Sequence, residues 1–130
     1  FMKKLFLLVA MAFITSFASA QISFEQFNQI NFKVTPQQMT EQLANYGFVQ
    51  NNSGLIIGKI DNEDVEISFT LSENGVIDIM NVKELNPLEP SQLNQRIAEL
   101  KAMILNQDKP IYLTKEQNNE EKFLITLIYR

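Results

Sequence analysis

Val65-Glu66-Ile67-Ser68-Phe69-Thr70-Leu71, then Ser72-Glu73-Asn74-Gly75, then Val76-Ile77-Asp78-Ile79-Met80-Asn81-Val82, is the stretch on which the fold turns. In the first run apolar side chains occupy every second position and polar ones the positions between. A strand sends successive side chains to opposite faces, so this run reads as a half-buried strand. Asn74-Gly75 accept positive φ and predict a tight hairpin into the strand Val76–Val82. Upstream, Leu55–Ile60 and the acidic turn Asp61-Asn62-Glu63-Asp64 add another strand, so residues 55–82 read as an antiparallel three-strand meander.

Two helices flank the meander. Thr35 suits an N-cap, Pro36 the first helical position, and Gln38 completes a capping box. Met39, Leu43 and Tyr46 then recur at helical spacing up to Gly47, which fits a left-handed C-terminal stop. Pro87 and Pro90 bracket the entry to a second helix, Ser91–Asn106, with an apolar stripe of Leu93, Ile97, Leu100 and Ile104. Ahead of the first helix, Ile30, Phe32 and Val34 alternate with Asn31 and Lys33 and predict a leading strand. After Pro110, Ile111–Lys115 and Phe123–Tyr129 predict a closing hairpin. The expectation is an α+β domain, an antiparallel sheet with both helices on one face. Its order is β-α-β-β-β-α-β-β, a βαββ unit given twice over Ile30–Leu71 and Val76–Tyr129.

The start of the chain has a different character. Met2-Lys3-Lys4, an apolar run Leu5–Ile14, and small residues at Ala18-Ser19-Ala20 form a secretory signal pattern, with cleavage expected before Gln21. The apolar run is shorter than the ~20 residues that span a bilayer, so no membrane anchor is expected after cleavage. Residues 21–130 are then a single domain, periplasmic or secreted. The chain holds 11 basic and 15 acidic residues, net −4; loss of Lys3 and Lys4 leaves nine against 15, or −6. With basic residues scattered singly, nucleic acid is not an expected partner.

Composition also excludes chemistry. There is no histidine and no cysteine. Imidazole acid–base catalysis, His- or Cys-based nucleophilic systems, thiolate metal sites and iron–sulfur ligation are therefore out. Four glycines form no phosphate-binding loop. Carboxylate chemistry and a Ser-Lys pair remain. Asp61, Glu63, Asp64 and Glu66 are the acids to consider for a catalytic pair or for calcium, but they fall in and beside a hairpin turn, where solvation keeps carboxylates ordinary. They also lack the spacing and internal glycine of a calcium loop. Glu116, Glu120 and Glu121 make a second acidic tip. The expectation is a protein that is not an enzyme and has no cofactor or metal.

A strand, a Thr-Pro-capped helix ending in Tyr46-Gly47-Phe48, a meander, a helix and a last hairpin, with the junction Ala20-Gln21-Ile22-Ser23-Phe24, resemble a group of short exported proteins of gut anaerobes. That group has no assigned activity, and its layout is similar to β-lactamase-inhibitor-protein and PepSY-type folds. The resemblance implies a sheet face used against a protein partner. This chain departs from the inhibitor proteins in lacking both cysteine and tryptophan.

The last strand points to a surface. Phe123, Ile125, Leu127 and Tyr129 are expected toward the helices, yet the alternate set Leu124, Thr126 and Ile128 is not polar. With Met80, Val82 and Tyr112 placed beside them, an apolar patch of Met80, Val82, Tyr112, Leu124 and Ile128 is expected on the open face of the sheet. Its occupant would be an exported or envelope protein or a second copy of the chain. Alternatively, Ile22, Phe24 and Phe27 fold back to cover it. The competing function is a small-ligand or glycan carrier, which requires a concave apolar pocket of ~300 Å³ or more.

Overall fold

A computed structural model describes residues 22–130. The signal-sequence reading of residues 1–20 and the cleavage before Gln21 lie outside the described residues. Among the described residues, three helices and six strands follow in the order α1 (Phe24–Asn28), α2 (Pro36–Ala44), β1 (Val49–Gln50), β2 (Ile56–Ile60), β3 (Glu63–Leu71), β4 (Ile77–Glu84), α3 (Pro90–Leu105), β5 (Ile111–Gln117) and β6 (Phe123–Tyr129). The strands form one open antiparallel sheet, β1-β2-β3-β4-β6-β5. The fold is therefore α+β, as expected.

One capping device recurs at the helix starts. Thr35 Oγ1 accepts from Gln38 N–H at 3.2 Å while Gln38 Oε1 accepts from Thr35 N–H at 3.0 Å. Ser23 and Gln26 make the same reciprocal pair, both at 3.1 Å, at α1. At α3, Glu89 N–H donates to Gln92 Oε1 at 3.0 Å. Each pair satisfies amide groups that the first helical turn leaves without partners. Gly47, at φ +83°, stands just past α2 as its sequence position predicts.

The leading strand expected at Ile30–Val34 does not form. Ile30 N–H closes the end of α1 on Phe27 C=O, and Lys33 N–H turns back to Asn31 Oδ1 at 3.2 Å. Ile30, Phe32 and Val34 do pack against the core, while Asn31 and Lys33 are exposed. The alternation is real but reports burial of an irregular segment rather than sheet pairing. The observed order is thus α-α-β-β-β-β-α-β-β, and the first half lacks the strand that a βαββ duplication needs.

One side of the sheet carries the core. Ile56, Ile67, Val82 and Leu127 are mutual neighbours across β2, β3, β4 and β6, and each is buried. Met39 and Leu43 of α2 and Leu93 and Leu100 of α3 belong to the same cluster, as do Ile22, Phe24 and Phe27. The core residues described all lie between Ile22 and Tyr129, so a chain beginning at Gln21 contains them. Phe27, Phe32 and Tyr129 form an aromatic trio with centroids 5.0–5.7 Å apart. A partly buried ion pair joins α3 to β4. Glu84, on the core face of β4, accepts from Arg96 Nε at 3.0 Å and from Nη2 at 2.6 Å. The fork-to-carboxylate geometry offsets the cost of desolvating both charges and holds Arg96 firmly protonated.

Candidate functional site

The sheet has a second face, and no described residue on it is buried. Across the strands its rows run Val49, Ile57, Glu66, Lys83, Thr126 and Thr114; then Ser68, Asn81, Ile128 and Tyr112. Tyr112, Leu124 and Ile128 stand on this open face as expected. Tyr112 is 52% exposed, and the Arg130 guanidinium lies 5.5 Å from its ring centroid.

Met80 and Val82 are not there. Both are core residues, at 1% and 0% exposure. The cause is a β-bulge: Thr70 pairs with Ile79 and Leu71 with Ile77, which leaves Asp78 as an extra residue in β4. An extra residue shifts the two-residue alternation by one, so Ile77 and Met80 share the core face. Ile79 takes the open face instead. Ile57 and Ile79 are therefore open-face apolar residues that the sequence pattern concealed, and only the bulge distinguishes Ile79 from a core isoleucine. The suggested cover does not form either. Ile22 bridges to Ile60, and Phe27 packs on Tyr129, so the N-terminal segment joins the core side.

Charges on the open face alternate in sign. Lys59 lies 3.9 Å from Asp64, and Glu66 faces Lys83 across the β3–β4 pair. Such a surface has no single-sign field to attract a polyanion. The acidic turn is tighter than its four residues suggest. Only Asp61 and Asn62, at φ 49° and 67°, form the turn, and Glu63 already pairs with Ile60. Asp61 and Asp64 are exposed. Among the described residues no group of three or more acidic side chains is gathered closely enough to hold a metal ion.

The chain matches no protein-family model, no curated protein and no solved structure. Its own geometry has to carry the functional reading.

Two hollows among the described residues bear on ligand binding. The larger of them, about 430 Å³, is a wide, open depression of mixed polarity between α1 and the end of α3, lined by Ser23, Glu25, Asp61, Asn106 and Gln107 with Phe24 and Met103. The smaller, about 200 Å³, sits where β4 and β6 meet at the sheet's end. Phe32, Ile77, Met80 and Tyr129 give it an apolar wall, and Lys33, Lys109 and Arg130 surround it with Asn31 and Asp78. The Lys109 ammonium lies 3.9 Å from the Phe32 ring centroid and donates to Ile30 C=O at 2.9 Å. Desolvation lowers the Lys109 pKa from its ordinary value. Lys33 Nζ donates to Asp78 C=O at 3.2 Å. The Tyr129 hydroxyl is buried and meets no hydrogen-bond partner, a condition shared among the described side chains only with the Asn28 amide.

Proposed function

We propose that the exported chain is a non-enzymatic interaction module, acting in the periplasm or outside the cell, that binds a protein partner through the open sheet face. Inhibition of an enzyme is the form this takes if the resemblance to inhibitor proteins extends to role. The observation behind the reading is a six-stranded face without a buried residue that displays Tyr112, Leu124, Ile128 and Ile79 among charges of alternating sign. From strand spacing and rise the face measures roughly 19 by 23 Å in projection over β2 to β6, with the two-residue β1 adding a short edge. Side-chain relief brings that toward the ~800 Å² each partner gives up in a standard interface. Alternating charge favours register-specific recognition of a folded protein surface. A carrier uses an enclosed apolar pocket of ~300 Å³ or more, whereas the larger hollows here are wide open and the most apolar one is about 200 Å³.

The test is retention of a partner by the chain from Gln21 to Arg130, offered to envelope and culture fractions of the source cell. A parallel bait carries Leu124→Lys and Ile128→Lys. A protein held by the native bait, lost by the double variant and re-bound when purified supports the reading. Equal retention by both baits, or none while both remain folded, refutes the open face as the binding surface.

A further inference from the structure

We infer that the cavity between the end of β4, the start of the Ile30–Val34 segment and the residues preceding β5 is a binding site for a small organic carboxylate with a compact apolar body. This site is separate from the open sheet face, lying beside the aromatic trio on the core side. Its two ammonium groups, Lys33 and Lys109, stand beside one acid, Asp78; Arg130 also lines the cavity, but its guanidinium lies over Tyr112 on the open face. None of the four takes part in an ion pair among the described residues. A local excess of positive charge over an apolar wall focuses anions.

The two lysines are held in place without being neutralised. Lys33 is tethered by the Asp78 carbonyl and Lys109 by the Ile30 carbonyl and the Phe32 ring face. Each ammonium has three donors, and each lysine spends one on a carbonyl, so donors remain for a carboxylate. Lys109 is partly desolvated with no carboxylate facing it, which burial alone does not favour. An anion bound in the cavity supplies the missing countercharge. Tyr129 lines the same cavity at 3% exposure, and because its hydroxyl is enclosed it offers a ligand apolar surface only. Phe32, Met80 and Tyr129 offer aromatic and thioether surface to an apolar body. At about 200 Å³ the cavity suits a ligand of roughly ten non-hydrogen atoms, below drug size.

The experiment is a titration of the isotope-labelled chain, Gln21 to Arg130, followed by amide resonances. Phenylacetate is the ligand, with phenylacetamide and phenethylammonium as neutral and cationic counterparts. The expected result is saturable binding of phenylacetate with Kd of ~1 mM, the range open to so small a ligand. Shifts should centre on residues 31–33, 78–80, 109 and 129–130. The amide and the ammonium compound should bind at least tenfold more weakly. Lys33→Gln/Lys109→Gln should weaken phenylacetate at least tenfold, and Lys59→Gln should leave it unchanged. Absence of saturation by 20 mM overturns the inference. So does equal binding of phenylacetamide, which would mark an apolar crevice only, or an unchanged Kd in the double lysine variant. The comparison of the three small molecules needs no variant, so it decides the matter even if a variant misfolds.

Discussion

Tyr129 shows what a single buried hydroxyl does to the molecule. Its ring packs on Phe27 and Phe32, and its hydroxyl is left without a partner. An unsatisfied buried polar atom costs about 1–3 kcal/mol, so Tyr129→Phe, which keeps the ring, should raise stability at pH 7 by ~1 kcal/mol. The same burial pushes the Tyr129 pKa well above its ordinary value. Here the folded-state pKa exceeds the unfolded one. The resulting contribution is complete below the unfolded value near 10 and is lost as pH rises beyond it, because only the unfolded chain releases the proton. Urea unfolding of the native protein between pH 10 and 11.5 should therefore show an alkaline loss of up to ~1.4 kcal/mol per pH unit that Tyr129→Phe lacks. Parallel pH curves for the two proteins would show that the hydroxyl is hydrated in the fold.

At the scale of elements, one loop design is used three times. Asn51, Ser72 and Asn118 each receive an N–H three residues on and give their own N–H to the carbonyl four residues on, in Asn51–Leu55, Ser72–Val76 and Asn118–Lys122. The fourth position is left-handed each time: Gly54 at φ +83°, Gly75 at +77° and Glu121 at +60°. Two loops place glycine there and the third places a β-substituted residue, for which the left-handed region costs roughly 1–2 kcal/mol. Glu121→Gly should therefore stabilise the β5–β6 hairpin by ~0.5–1 kcal/mol after glycine's greater unfolded-state freedom is counted, read as a rise in urea midpoint at constant slope. A fall would mean that the Glu121 side chain makes a compensating interaction. The same loops mark where sequence reading works and where it stops. Asn74-Gly75 announces a turn correctly, but the turn uses positive φ at Gly75 alone. Thr35-Pro36-x-Gln38 announces α2, and Ser23-x-x-Gln26 with Phe24 and Phe27 announces α1 just as plainly, though its closeness to the expected cleavage junction obscures it. The alternation at Ile30–Val34 misleads because burial of alternate residues does not require a partner strand. The bulge at Asp78 is invisible because periodicity assumes an unbroken ladder. Hence Tyr112, Leu124 and Ile128 were legible as open-face residues, and Met80 and Val82 were not.

For the molecule as a whole, the division into a covered and an uncovered face is the property on which the functional reading depends. It can be tested by charge. Lysine at Val82, 0% exposed in the core, places an ammonium among apolar side chains where the neighbouring Glu84 carboxylate is already held by Arg96. Such burial costs several kcal/mol, a large part of the ~5–15 kcal/mol that holds a domain of this size together. Lysine at Leu124 or Ile128, on the face where no described residue is buried, keeps its ammonium in water and lays its methylenes over the neighbours. Loss there should stay near 1 kcal/mol. Val82 and Ile128 make the sharpest pair, since the strands that carry them are adjacent and Ile128 pairs with Asn81, the residue next to Val82. One substitution should abolish cooperative unfolding at 25 °C, and the other should leave the urea midpoint nearly in place. Equal destabilisation of Val82→Lys and Ile128→Lys would mean that both faces are covered in solution, whether by a second copy or by the chain itself. The first possibility would appear as a concentration-dependent sedimentation coefficient, the second as a monomer at every concentration, and in either case the open face would no longer be free to receive a different protein.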